Sequence, residues 1–335
     1  MKKTLFFHSK YRPAGIIFLD ERAPFPYYSI IEKPAVMEEY MKKFALIIVF
    51  LMLLAPVALF AGGNNDYCQT KYPVVFAHGM AFTDGALGID YWWDIVDDLE
   101  DNGADVFVAA VNSMDSTAAK AAQFRQQFLE FLAVSGASRA NIIGHSHGGL
   151  YTRYAISNLG LASKVASLTT ICSPHRGSAV ADVVIGVLPD AGEWLVGSIC
   201  DIVYRFLIGD ENPNSLDNAY DLARSHMTNV FNPNTPNASG VYYQSYATKI
   251  YTITADMVLE ATWMLLNFYE GANDGLVSVS SAQWGNFRGT WTGSWYNAGG
   301  VSHINAINHF FGMTPGADVE EWYMDIVNGL KTRGL

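Results

Sequence analysis

Basic side chains are scarce in this chain of 335 residues: 21 Lys and Arg stand against 32 Asp and Glu, a formal net charge of −11. With residues 1–63 set aside, 13 basic and 27 acidic side chains remain, a net charge of −14. That balance excludes nucleic acid as a partner, because phosphate backbones are held by clustered Lys and Arg. Cysteine is scarcer still. With three residues the chain can close one disulfide at most within itself. Cys172 sits in the apolar run 167–172 and reads as a buried free thiol. Cys68 and Cys200 remain as the candidate pair, and no sequence argument brings two such distant positions together. A clean membrane span is missing as well: the apolar run 44–61 is barely long enough to cross a bilayer and contains Pro56.

What does occupy residues 41–63 is a basic start at Met41, Lys42 and Lys43, an apolar middle and a small-residue end, the layout of a secretory signal peptide. Export is the expectation, with cleavage near Ala61 or Gly63. Residues 1–40 carry Pro13, Pro24, Pro26 and Pro34 and no helical or strand period. We read them as a mis-called upstream extension, with Met41 as the true start. Codons for Met37-Glu38-Glu39-Tyr40 can contain a purine-rich ribosome-binding run just before it. Residues 64–335 are long enough for one large α/β domain, and no second domain is required.

Within that domain, residues 140–153 read Ala-Asn-Ile-Ile-Gly-His-Ser-His-Gly-Gly-Leu-Tyr-Thr-Arg. An apolar strand runs into a Gly-x-Ser-x-Gly turn and out into a helix. Such an elbow needs small residues beside the serine, here Gly144 and Gly148, and it lifts the hydroxyl of Ser146 out of the sheet beside a helix N-terminus. A plain Gly-Ser-Gly turn is the bland reading, and the flanking strand and helix argue against it. Around this elbow the pattern is strand at 71–78, helix at 91–102, strand at 105–111, helix at 117–134 and strand into Ile142. This β-α-β-α-β order implies a parallel sheet with right-handed crossovers. A further strand is expected at 165–172, then strands at 241–247 and 249–254, and an apolar helix at 257–269.

The strand ending in His78-Gly79-Met80 supplies a loop that offers a backbone donor at Met80. With the N–H of His147, after the serine, it would form an oxyanion hole. Asp274, in an Asp-Gly turn after the late strands, is the candidate acid, and the tail offers His303 and His309 as candidate bases; Ser, Asp, His is the chain order of α/β-hydrolases. His175 precedes the acid and is read as part of the substrate loop. Residues 179–209 carry Leu195, Ile199, Ile202, Val203 and Phe206 on one helical face. Either a buried helix or a mobile lid would show that stripe; the lid, spanning about 179–240, is the reading carried forward.

Several segments together resemble the secreted bacterial triacylglycerol lipases of family I, over most of residues 72–313. They are the run from Pro73 to Met80, Leu87-Gly88-Ile89-Asp90-Tyr91-Trp92, the elbow, Pro174-His175-Arg176-Gly177-Ser178, Asn273-Asp274-Gly275-Leu276-Val277 and Ser302-His303-Ile304-Asn305. The resemblance implies an α/β-hydrolase fold with a mostly parallel central sheet. It also implies Ser146 as nucleophile, Asp274 as acid, His303 as base, and Met80 with His147 as oxyanion donors, leaving His309 structural. Foldase-dependent relatives carry a cysteine six residues after the acid; here Ser280 stands there, and no cysteine lies between 201 and 335. A foldase chaperone as partner is therefore in doubt.

Relatives also hold a structural calcium near the base. The matching positions here are Asp256, Asn305, His309 and the carbonyl near Met313. An amide in place of a carboxylate and an imidazole in place of an oxygen suit a hard cation poorly, so calcium is expected to be weak or absent, and the chemistry needs no cofactor. Asn305 and His309 are expected to brace the His303 loop instead. The resulting expectation is an exported serine hydrolase acting on acylglycerols at an oil-water interface, favoured by the apolar stretches and by Trp284, Trp291 and Trp295. Two rivals are a short-chain carboxylesterase and a catalytically silent lipid-binding protein on the same fold.

Overall fold

The computed structural model describes residues 65–80, 90–188, 215–252, 255–309, 314 and 316–335, all within the compact unit Asn64–Leu335. The expected extension and signal peptide (1–63), residues 189–214 of the expected lid, Cys200 and Met313 lie outside the described residues. No described helix is long and apolar enough to cross a membrane.

Among the described residues six strands form one parallel sheet in the order β2-β1-β3-β4-β5-β6. They are β1 (Val74–Ala77), β2 (Val106–Ala109), β3 (Ala140–His145), β4 (Val165–Ile171), β5 (Tyr242–Thr248) and β6 (Asn286–Trp291). The three central strands β1, β3 and β4 are buried at every residue, whereas β6 is largely open, so the apolar runs mark the strands covered on both faces. Successive residues of β1 feed opposite sides. Val74 and Phe76 pack with α1 (Ile95–Asp101) and α8 (Val319–Lys331), while Val75 and Ala77 pack with α2 (Thr117–Ser135) and α3 (His147–Asn158). Phe124 and Phe128, one helical turn apart on α2, are fully buried there; each contributes about 1.5–3 kcal/mol relative to exposure. α2 is capped by Ser116, whose side chain accepts from Ala119 N, and stops at Gly136 in a left-handed conformation (φ 70°).

Beyond β4 the alternation is interrupted by α4 (Ala179–Val184), α5 (Ser215–Asp221) and a helical run at 224–234, and α6 (Glu260–Tyr269) and α7 (Val279–Ala282) follow β5. α4 packs on α6 through Ala179, Val180, Val183, Leu265 and Leu266.

Most expected elements are found within a few residues, and the departures have causes. α1 begins at Ile95 because Asp94 adopts φ 57°, which cannot continue a helix backwards. α6 begins at Glu260 because Asp256 Oδ1 accepts from Val258 N and Leu259 N and holds the preceding turn. The expected strand at 249–254 is not formed over the residues described there: β5 already pairs with β4 and β6, and Ile250 makes only a bridge to Gly300. That bridge draws the loop ahead of His303 back to the end of β5. Because Ala77 aligns with Gly144 and His145 with Ile171, the loops after β1, β3 and β4 emerge together at the C-terminal edge, where parallel sheets place their ligands.

Candidate active site

Ser146 joins β3 to α3 with φ 55° and ψ −128°, a conformation that costs a non-glycine residue about 1–3 kcal/mol and persists only where the surroundings enforce it. Its N–H is fixed on Ile171 O at 2.8 Å. The glycines make the turn possible by close approach: a Cβ on Gly148 would lie 2.0 Å from Ala77 O, and one on Gly144 2.7 Å from Gly149 N. The loop after β1 packs on the serine itself. A Cβ on Gly79 would meet Ser146 Cβ at 2.8 Å, so only glycine lets that backbone lie there.

Three buried side chains hold the loop and the elbow. Val111 N donates to His78 Nε2 at 3.0 Å, which leaves the ring proton on Nδ1, 3.0 Å from Gly79 O. Burial first, then the charge of Lys120, brings the His78 pKa down to about 4, so the ring is neutral. Gly79 N donates to Tyr91 Oη at 2.9 Å. Both polar groups of Gly79 are thereby occupied, and the next donor along the chain is the Met80 N–H. His147 turns its ring inward, where Lys120 Nζ donates to Nδ1 at 3.0 Å and Nε2 lies 2.8 Å from Thr117 Oγ1. Its backbone N–H opens α3. Neither the Met80 N–H nor the His147 N–H donates to an acceptor among the described residues.

The second half of the site comes from two turns. Asp274 Oδ1 accepts from Leu276 N (2.9 Å) and Val277 N (2.7 Å), which leaves Oδ2 for His303 Nδ1 at 2.8 Å; His303 N also donates to Asp274 O at 2.8 Å. Asp274 is 1% and His303 5% exposed. Asn305 Oδ1 accepts from Ser302 Oγ at 2.9 Å, so Ser302 braces the His303 loop from within, and His309 N donates to Ile304 O in the same loop at 3.4 Å. His145, the residue before Ser146, places its ring centroid 4.6 Å from that of His303, and its Nδ1 lies 2.7 Å from Tyr91 Oη. Among the described residues no hydrogen bond joins Ser146 to His303, whose Nδ1 is taken by Asp274.

Ser146, Met80, His147, Asp274 and His303 are therefore brought to one edge. His175, in the loop after β4, has both ring nitrogens engaged away from Asp274: its Nδ1 accepts from Arg153 Nη1 at 3.0 Å, its Nε2 is 2.9 Å from Thr170 Oγ1, and it stacks on Trp284. His309 sits edge-on to Tyr91, ring centroids 5.9 Å apart. Of the three tryptophans expected to form a greasy surface, Trp284 covers Arg153 at 3.6 Å and Trp291 stacks on Trp322; only Trp295 is exposed. The roles of His78, Tyr91 and His145 were not assigned from sequence, although all three lie inside segments that the resemblance rests on.

Calcium does not fit the donors described here. Asn305 Oδ1 is already engaged, His309 offers nitrogen, and of the described candidate positions Asp256 alone keeps a buried oxygen, Oδ2, without a hydrogen-bond partner. A strained serine near two N–H groups that meet no acceptor among the described residues, with a histidine oriented by a carboxylate on the same edge, is the donor and base set that attack on a carbonyl would use.

A family model described as the alpha/beta hydrolase fold matches residues 72–195. A triacylglycerol lipase of Burkholderia plantarii is 30% identical over 341 residues, covering 85% of this chain and 92% of that one. A triacylglycerol lipase of Vibrio cholerae is 40% identical over 150 residues, a match that spans 43% of this chain and 47% of that one. Among solved structures, the mature form of the lipase BlEst2 of Bacillus licheniformis superposes with a TM-score of 0.58 at 22% identity, over 77% of this chain and 92% of that one, a likeness of fold.

Proposed function

We infer the chemistry of the site from a family premise: this chain belongs to the triacylglycerol lipase family of α/β-hydrolases and is a carboxylic-ester hydrolase. Ser146 is the nucleophile, His303 the base and Asp274 the acid. His303 Nε2 takes the hydroxyl proton as Ser146 Oγ attacks the ester carbon, and the developing oxyanion accepts from the N–H groups of Met80 and His147. Collapse expels the alcohol, protonated by His303, and leaves an acyl-serine that water cleaves in a second cycle. Asp274 keeps the Nδ1 proton in place throughout. The observation that carries this reading is the Asp274–His303 pair at 2.8 Å, on the same edge as a strained serine and two N–H groups that meet no acceptor among the described residues.

The substrate class is acylglycerol met at a lipid surface. Support comes from the outer side of α6 and the turn before it, where Met257 and Phe268 are 82% and 81% exposed and Met264 is also open, and from Trp295 on the 291–297 loop. A fluorophosphonate should label Ser146 alone, and Ser146→Ala should lower hydrolysis of tributyrin and triolein by about 10⁶-fold. Turnover retained in that variant would refute the assignment, and activity confined to short soluble esters would refute the substrate class. Export belongs to the same proposal. The mass of the protein recovered from the medium of the source cell should correspond to a chain starting after Ala61 or Gly63, and a product retaining residues 1–40 would overturn it.

A further inference from the structure

Behind the proposed base lies a cluster that the ester chemistry does not use. A ring nitrogen of His145, a ring nitrogen of His303 and Cys172 Sγ lie within 4.8 Å of one another, and all three residues are buried. The cysteine is held there by backbone, not by chance rotation: Cys172 follows β4 with φ 52°, its N–H donates to Tyr246 O at 3.0 Å, and Sγ lies 3.1 Å from Thr248 Oγ1. His145 is the second observation. Its Nδ1 is taken by Tyr91 Oη, while Nε2, buried beside the His303 backbone, makes no hydrogen bond of good geometry among the described residues. His303 likewise has one nitrogen committed, Nδ1 to Asp274 Oδ2, and Nε2 outside that pair.

We propose that His145, Cys172 and His303 form an inhibitory site for a soft divalent cation of the zinc class, which takes the proposed base out of action. Two imidazoles and a thiolate are a favoured donor set for such an ion, with metal-nitrogen bonds of about 2.0 Å, metal-sulfur bonds of about 2.3 Å and a fourth position left for water. Donors on such a tetrahedron stand roughly 3.5 Å apart, so the three side chains close by about 1 Å on binding. The neighbours suit the task. Asp274 on Nδ1 of His303 is the carboxylate that commonly orients and strengthens a histidine ligand. A thiol binds such an ion as thiolate, so binding breaks the Cys172 S–H bond, forms the metal-sulfur bond and releases one proton to solvent. With His303 on the metal, the nitrogen that would accept the Ser146 proton is no longer available.

The inhibition half of this proposal rests on the reading of His303 as base; the binding half does not, and two readouts separate them. The purified chain is titrated with Co²⁺ alone, followed by absorbance, and its hydrolysis of a dissolved p-nitrophenyl butyrate is titrated with Zn²⁺ and then with EDTA. Wild type should take up one Co²⁺ with a near-ultraviolet thiolate-to-cobalt band, and Zn²⁺ should inhibit reversibly. Cys172→Gly, which accepts φ 52° without strain, and Cys172→Ser should both lose the band. Each should need about 10- to 100-fold more Zn²⁺ for half-inhibition, relative to its own uninhibited rate. Ester hydrolysis by a wild type that shows no cobalt band, or equal zinc sensitivity in the Cys172 variants, overturns the site. A cobalt band on a chain that hydrolyses no ester overturns the proposed function and leaves the metal site standing.

Discussion

Both carboxylate oxygens of Asp274 are committed, Oδ1 to the N–H groups of Leu276 and Val277 and Oδ2 to His303 Nδ1, so the orientation of the imidazole is set by a group that cannot itself rotate. Asp274→Asn tests how much that orientation matters. The amide can turn its nitrogen towards His303, which then presents the wrong tautomer to Ser146, and kcat should fall by about 10⁴-fold with KM nearly unchanged. A drop of less than about tenfold would mean that Asp274 positions the loop but does not govern the proton. At the same scale, Gly79 shows why the loop after β1 tolerates no side chain: its N–H and C=O are held by Tyr91 and His78 while its Cα lies against Ser146.

Among the elements, α6 divides its residues between two duties. Leu265 and Leu266 pack on α4, whereas Met264 and Phe268, four residues apart on the other side, face out. On the proposed reading these two apolar side chains, at that spacing, meet the lipid droplet. Replacing both by Glu should lower triolein hydrolysis in emulsion by at least about tenfold, since each side chain moved into lipid is worth more than about 1 kcal/mol. The rate on dissolved p-nitrophenyl butyrate should stay unchanged. Equal losses on both substrates would show that α6 supports the site and does not dock the surface.

For the molecule as a whole, the neutral buried histidines set its acid response. His78 titrates near 4 in the fold and near 6.5 when unfolded, and burial likewise lowers His145, His147 and His175 well below the ordinary value. Below 6.5 the unfolded chain therefore binds more protons than the folded one. The stabilisation is complete above about pH 6.5 and is lost progressively as pH falls towards 4, about 3 kcal/mol from His78 alone. Urea midpoints measured from pH 7 to pH 4 should fall steadily, and a flat profile would show that these rings gain protons inside the fold.

The order of strands and helices, the elbow around Ser146 and the turn that carries Asp274 were readable in the sequence because each depends on local spacing: period 2 or 3.6 in apolar residues, and glycines where backbones touch. One of those readings failed where a local pattern met a long-range contact, since the expected strand at 249–254 gives way to a single bridge with Gly300. The choice among histidines was not local. Spacing leaves His303 and His309 equivalent, and the resemblance alone favoured the first; the fold sets His303 on Asp274, His309 on Tyr91 and His175 on Arg153. The cluster of His145, Cys172 and His303 could not be read at all from the chain, because its members come from β3, the end of β4 and the last loop, and only the parallel packing of those strand ends brings a thiol and two imidazoles within 4.8 Å.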